Sequence, residues 1–337
     1  MKKVFITGIN GFIGSNLAKR LVEEGFEVLG LVRKTSDLSF IKNLNVQLFY
    51  GDISNHTTLK SKWFENVDTV FHVAGLAADW GKYQKFYKIN VEGTQNIAHI
   101  ASKVGVNRFV YISTVAFHGF GKTNIKENDP IPTKLIPYAK TKWLAEQWLW
   151  NFSKSTNMAI TAIRPGNVFG PNDRTFMLKY LEAIEKGKFA QINQGKAKTC
   201  PTFIFNLIDA IILASTHTNA IGEAFIVTDG LEINWNTFNN LLAKELGIKL
   251  KKTSIPFWLA MAIAKTYYGI HSFLNIKSEP FLTPYRINNG GKDYHFSIEK
   301  IKNMLGYTPK YDINTSIKIT IDWYKKFRKK SHALQHG

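Results

Sequence analysis

Short apolar runs alternate with segments of helical spacing through the first half of the chain. Lys3 to Thr7 (KVFIT) is a strand-like run closed by glycine, and Asn16 to Glu24 then places Leu17, Leu21 and Val22 on one helical face. Glu27 to Val32 (EVLGLV), Val46 to Phe49, Thr69 to Val73, Arg108 to Ile112 and Ala159 to Ile163 repeat the strand pattern. Helices are predicted between them, over Val91 to Lys103 and Thr141 to Phe152. Strands alternating with helices of this length imply right-handed βαβ units. The expected fold class is therefore α/β: a doubly wound parallel sheet with helices on both faces.

The pattern changes after Pro165. Gly166 to Asp173 (GNVFGPND) is rich in turn formers, Phe176 to Lys186 has helical spacing, and Phe203 to Phe205 with Ala224 to Val227 read as returning strands. Phe238, Leu241, Leu242 and Leu246 share a helical face, and LGYTPKYDINTSIKITIDWYKKF makes a compact tail. At roughly 150 residues per domain, 337 residues suggest two lobes. Residues 1–165 are expected to form the sheet domain, with strands returning from about 203–228, and residues 166–337 mainly a smaller substrate lobe. Ile255 to Leu274 is apolar and aromatic but carries Lys265, Thr266 and His271, which argues against a membrane span. A helix hydrophobic all round is usually buried; the alternatives are the lining of an apolar pocket or a place at a bilayer interface.

Composition narrows the class. Hydrophobic residues make up 45% and charged residues 20%, enough for a full core and against disorder. The single cysteine, Cys200, excludes an internal disulfide framework and fits a reducing, cytoplasmic setting. Val4 to Ile6 is too short an apolar stretch for a signal peptide. The 44 Lys and Arg against 25 Asp and Glu give +19, a surface that attracts phosphates, acidic lipid or nucleic acid. No nucleic-acid motif or metal-ligand spacing accompanies that charge, so neither a nucleic-acid partner nor a metal site is expected. The closing run Lys325, Lys326, Arg328, Lys329, Lys330 reads as a solvated helix end, with contact to an acidic membrane surface as the alternative.

Candidate chemistry begins at Thr7 to Gly14 (TGINGFIG), between the first strand and the first helix. Gly8, Gly11 and Gly14 have the GxxGxxG spacing that permits a tight turn, close approach of backbone to a pyrophosphate, and close helix–strand packing. The helix start, at Phe12 and Ile13, adds free N–H groups for phosphate. At the end of the second strand an NAD site wants an acid for the ribose 2′-OH. Arg33 and Lys34 stand there instead, with no acid until Asp37, and favour the 2′-phosphate of NADP(H), NAD(H) being the alternative. Asp52 and Ile53 follow the third strand where the adenine edge would lie, and Ala74-Gly75 closes the fourth with small residues that leave room for cofactor. Ser113-Thr114 ends the fifth strand, and Tyr138 and Lys142, four apart on one helix face, open the next helix. A neighbouring ammonium and a cationic nicotinamide would bring the phenol toward a working pKa, with Lys142 also holding ribose. Thr114 would orient a substrate oxygen while Tyr138 passes its proton, Ser113 standing as a second hydroxyl.

Together these residues resemble the extended short-chain dehydrogenase/reductase family (the NAD(P)-dependent epimerase/dehydratase superfamily) over nearly the whole chain. The likeness rests on TGINGFIG, Asp52-Ile53, Val73-Ala74-Gly75, KINVEGT with Asn90, ISTVA with Thr114, YAKTK with Tyr138 and Lys142, and RPGNVFGP from Arg164. It implies a Rossmann cofactor domain, a C-terminal substrate domain and a Thr-Tyr-Lys catalytic set. It also implies cofactor contacts that include Asn90, Pro165 and Val168, and a homodimer formed through the helices Val91–Lys103 and Thr141–Phe152. HVAGLAADWGKYQKFYKINVEGT and the late PFLTPYRI and FSIEKIKNMLGYTPKYDINTSIKITIDWY look most like the 3β-hydroxysteroid/sterol dehydrogenase branch, with dihydroflavonol-reductase-like enzymes as cousins. That likeness implies an oxidoreductase interconverting a ketone and a secondary alcohol on an apolar small molecule. The sterol branch commonly carries an acid for NAD where Arg33 stands, so the NADP(H) preference rests on Arg33 and Lys34 and departs from that branch. The rival is a nucleotide-sugar epimerase, in which Asn167 would meet the sugar nucleotide; a non-catalytic NADP(H)-sensing protein is a third reading. Val115 and Ala116 replace the Asp-Glu pair of the sugar dehydratases, and Thr199-Cys200-Pro201 stands where sugar epimerases tend to place a diphosphate-binding arginine.

Overall fold

The computed structural model describes residues 2–251, 253–274 and 276–335. The side chain of Lys330, last of the closing basic run, lies outside the described residues. The apolar runs form the strands β1 (Lys3–Thr7), β2 (Glu27–Val32), β3 (Val46–Tyr50), β4 (Thr69–His72), β5 (Arg108–Ile112), β6 (Ala159–Pro165) and β7 (Ala224–Val227). All pair in parallel in the order β7-β6-β5-β4-β1-β2-β3. The order reverses between β1 and β4, so a crevice opens there beyond the strands' carboxyl ends, where such sheets bind ligands.

Helices cover both faces, and each face has its own core. On one side α1 (Phe12–Glu23) buries Leu17, Ala18 and Leu21 beside Leu207, Ile208 and Ile211 of α4 (Ile204–Thr216) and Ile317 and Ile321 of α7 (Ile313–Gln335). On the other, α2 (Gly93–Lys103) and α3 (Pro137–Ser153) bury Ile97, Ala101, Ala145 and Leu149 with Phe5, Trp63 and Phe64. The last strand β7 comes from beyond residue 165, and its edge is covered by Glu299–Leu305, from which Lys300 Nζ donates 2.9 Å to the Ala224 carbonyl. Small strand pairs join the remaining chain to this body: Asn167–Phe169 with Pro201–Phe203, and Lys122–Ile125 with Tyr294–Phe296.

Three local readings are corrected. The run predicted as a strand at Phe203–Phe205 is a strand only to Phe203, and α4 starts at Ile204. Asp229 accepts the Phe203 N–H at 2.9 Å and the Asn206 amide at 2.9 Å, and so fixes that corner. The helix expected from Thr141 begins at Pro137, whose missing N–H costs nothing in a first turn. The helix expected from Val91 is entered through a π-helical segment, Tyr87–Glu92. The apolar stretch forms α5 (Phe257–Phe273), in which Ala260 and Ala264 are the buried residues, so its hydrophobicity is not that of a core helix.

Candidate active site

At the mouth of the β1/β4 crevice the three glycines each meet backbone. A Cβ on Gly14 would lie 2.2 Å from the Gly8 carbonyl oxygen, so only glycine lets α1 sit this close to the turn. Gly8, at φ +68, would press a Cβ to 2.9 Å from the Ala74 backbone. Gly11 is exposed and caps α1 with no side-chain bond, leaving the N–H groups at Phe12 and Ile13 without a side-chain partner.

The opposite wall, Ala74 to Leu76, is pinned from beneath by polar side chains the sequence reading passed over. Ala74 N–H donates to Thr7 Oγ1 at 3.1 Å, and Thr7 lies 2.8 Å from His72 Nδ1. His72 Nε2 lies 3.0 Å from Thr94 Oγ1, which donates to the Asn90 carbonyl at 2.6 Å. Since Thr94 spends its proton on that carbonyl, it accepts from Nε2–H, and Nδ1 accepts from Thr7. The imidazole is neutral in this arrangement: burial, with Lys142 nearby, pulls its pKa down to about 3. Asn90 accepts the Leu76 N–H at 2.7 Å and donates to the Leu76 carbonyl and to Thr141 Oγ1. The expected cofactor residue Asn90 thus turns its amide to the wall and to α3. The signal for this network was there, as threonine and histidine ending otherwise apolar strands.

Gly75 stays exposed between these pins, and a Cβ there would be 3.2 Å from Asn90 Oδ1 and 3.9 Å from Lys142 Nζ. This places the lysine directly across the crevice wall. Arg33 and Lys34 are exposed at the end of β2. Asp37 beyond them is engaged by Arg174 Nη1 at 2.6 Å and by the Ser39 N–H at 2.8 Å, which hold its carboxyl below the usual range. Asp52 Oδ1 accepts the Ser54 N–H and hydroxyl, and Ile53 packs against Gly93. Pro165 ends β6, where its carbonyl accepts the Val115 N–H, and Val168 lies half-buried in the next short strand.

The structure brings Thr114, Tyr138 and Lys142 together at the end of β5 and the start of α3. Burial raises the Tyr138 phenol, and the neighbouring Thr114 side chain opposes the rise; Thr114 Oγ1 also accepts the Ala116 N–H at 3.1 Å. Lys142 Nζ donates to the Ile112 carbonyl at 2.5 Å and lies 4.0 Å from the Tyr111 ring centroid. Burial pulls its ammonium down to about 7, against the attraction of Glu146 one turn further on. Ser113 is no spare hydroxyl: it donates at 2.5 Å to Glu146, which is buried and paired at 2.5 Å with Arg164. Arg164 also donates to the Glu127 carbonyl at 2.8 Å and lies over Phe117.

Facing Tyr138 are apolar and aromatic groups. Ala116, Phe117 and Ala139 form a cluster with Leu135, Trp143 and Tyr285, the last supplied by α6 (Pro284–Gly291). Tyr285 stacks edge-on against Phe120, and burial raises its phenol, with Tyr138 adding to the rise. Tyr285 was not legible in the sequence, because only the folded chain carries α6 back over α3. Asn167 donates to Thr199 at 3.2 Å and exchanges amide bonds with Asn289 at 3.1 and 3.2 Å, cross-linking the short strand Asn167–Phe169 to α6.

A glycine cradle at a strand-order reversal, with a Thr-Tyr-Lys set across its wall, defines a nicotinamide-dinucleotide enzyme of the extended short-chain type. The model of the NAD dependent epimerase/dehydratase family matches residues 4–227, and the chain belongs to that family. It is similar to the decarboxylating sterol-4-alpha-carboxylate 3-dehydrogenase of Bos taurus, 31% identical, over 97% of this chain and 94% of that protein. The 3-beta-hydroxysteroid dehydrogenase of Mycolicibacterium neoaurum is 29% identical over 96% of this chain and 91% of its own. Among solved structures, the UDP-glucuronic acid 4-epimerase of Bacillus cereus in complex with NAD superposes with a TM-score of 0.77. It covers 96% of this chain and 99% of its own at 22% identity, a likeness of fold. The dinucleotide the family implies fits the residues present: a glycine cradle that a Cβ would fill, an uncapped helix start, and Gly75 open beside Lys142.

Proposed function

We propose that this protein is an NADP(H)-preferring oxidoreductase that interconverts a ketone and a secondary alcohol on a largely apolar, sterol-like small molecule. The observation that carries the reading is the Thr114–Tyr138 hydroxyl pair facing an aromatic wall, with Lys142 one turn behind. Gly8, Gly11, Phe12, Ile13, Gly14, Asp52, Ile53, Ala74, Gly75, Pro165 and Val168 would hold the dinucleotide, which when bound supplies or takes the hydride.

The chain's own groups manage the proton and the substrate oxygen. Thr114 holds that oxygen beside Tyr138, and Tyr138 gives or takes the proton at its Oη. In the free protein burial holds the phenol protonated, the form that donates. When it becomes phenolate, the adjacent Lys142 ammonium is the charge that stabilises it, and Lys142 has a ready proton because its own pKa sits near 7. His72, Asn90 and Thr141 hold the wall and the start of α3 in register. Residues beyond 165 act in this reading mainly as the substrate lobe, contributing Tyr285 to the pocket.

Support for an apolar substrate comes from this aromatic lining and from the sterol dehydrogenase relatives. Support for NADP(H) is the exposed Arg33-Lys34 pair together with the engagement of Asp37 by Arg174. We also place a homodimer contact on α2 and α3, where His99, Trp148 and Phe152 stack within 4.7 to 5.2 Å. The function is tested by following nicotinamide absorbance with NADPH and NADH across a panel of apolar ketones and alcohols and nucleotide sugars. Turnover with an apolar substrate, faster with NADPH, is expected. Conversion of a sugar nucleotide without net change in absorbance would mean an epimerase.

A further inference from the structure

Helix α5 inverts the usual arrangement of a surface helix. Its five-turn length is bolted to the body through Ala260 and Ala264, which pack with Ile287, Ile192 and Leu282. The face turned to solvent is also apolar. Leu259, Ile263, Tyr267, Ile270 and Leu274, spaced by four, four, three and four, form an exposed stripe. Trp258 is 71% and Phe273 89% exposed at its flanks, and Phe281, just beyond, is 77% exposed. A solvent-facing surface helix normally carries polar residues there, and a contiguous apolar patch of this kind marks an interaction surface.

The charge of the segment that carries the stripe says what covers it. From Leu246 to Ser278 the sequence holds five lysines (249, 251, 252, 265 and 277) and no aspartate or glutamate. A second copy of the chain would bring one molecule at +19 against another. An anionic lipid surface meets both features, with acyl chains for the stripe and headgroups for the lysines. Among the described residues no helix is long and apolar enough to cross a membrane, so the stripe lies along the bilayer rather than through it.

We propose that α5 docks this protein in the plane of an anionic lipid bilayer, apolar stripe inward. The dock is rigidly tied to the active site. Trp80, on the loop that leaves the cofactor wall, meets Tyr268 edge-on at 4.8 Å, and Asp79 on the same loop pairs with Arg286 of α6 at 3.0 Å. Docking therefore sets the crevice mouth beside the membrane surface, whatever the substrate proves to be.

The test is flotation of the full chain with phosphatidylcholine vesicles, with and without phosphatidylserine, beside the double variant Ile270→Asp, Phe273→Asp. Both positions are exposed, so the variant should keep its melting temperature and its cofactor binding. The wild type should float with the phosphatidylserine vesicles and release as salt rises. The variant should bind them at least ~10-fold more weakly. Absence of flotation with anionic vesicles would overturn the proposal, as would equal flotation by the folded variant. Light scattering in which the variant dissociates a wild-type oligomer that ignores lipid would assign the face to self-association instead.

Discussion

Lys142 and Tyr138 were legible because helical spacing alone puts them on one face, and Thr114 because it ends a strand. What the sequence could not show is how the support residues are spent. Ser113 and Glu146 lie on different elements, and only packing reveals that the hydroxyl belongs to a buried Glu146–Arg164 pair rather than to substrate. That pair has consequences for the lysine. Removing one partner of a buried ion pair strands the other, at a cost of about 3 kcal/mol or more, so Glu146→Gln should be destabilised by that order in urea titration. Glu146 also raises the Lys142 pKa, so its loss should lower it further below about 7. Folded Lys142 releases its proton near 7 and the unfolded chain near 10.5, so the unfolded state holds the extra proton and stability gains as pH rises between them. In Glu146→Gln that window should extend to lower pH, and unchanged pH dependence would contradict the role assigned to the carboxylate. At the cofactor end, Arg33→Ala should weaken NADPH binding by about tenfold or more while leaving NADH nearly unaffected, as read by fluorescence titration. Equal losses for both would remove the 2′-phosphate assignment.

At the scale of elements, the strands and the first helix were predicted within a few residues, because unbroken apolar runs and a glycine turn leave few alternatives. The strand misread has a plain cause: short apolar runs read alike as strand or helix. At Phe203–Phe205 the choice was made by Asp229, a residue distant in sequence that takes the Phe203 N–H. Helix α5 shows the limit from the other side. A segment hydrophobic all round contains no moment from which to choose an inward face, so burial and exposure were equally readable until Ala260 and Ala264 were seen to be the contact. The π-helical turn before α2 has no simple composition signal, yet it carries Asn90 to the point where one amide serves both the Leu76 backbone and Thr141.

For the whole molecule, the parallel sheet follows from the alternation of strands and helices, whereas the strand order, with its reversal and crevice between β1 and β4, is fixed only in the folded chain. Pocket shape is likewise fixed there, since it is made where α6 returns over α3 and brings Tyr285 to Tyr138. The net charge of +19 gained meaning only when its lysine-rich, acid-free stretch was found to carry an exposed apolar helix.

The central claim is that Tyr138 passes the proton in a net redox reaction on an apolar substrate. The most direct measurement is single-turnover oxidation of NADPH with an apolar ketone, wild type beside Tyr138→Phe, with cofactor affinity titrated separately in both. The account predicts turnover in the wild type and a loss of at least ~100-fold in the variant, with cofactor affinity kept. Turnover that survives the loss of the phenol would contradict it.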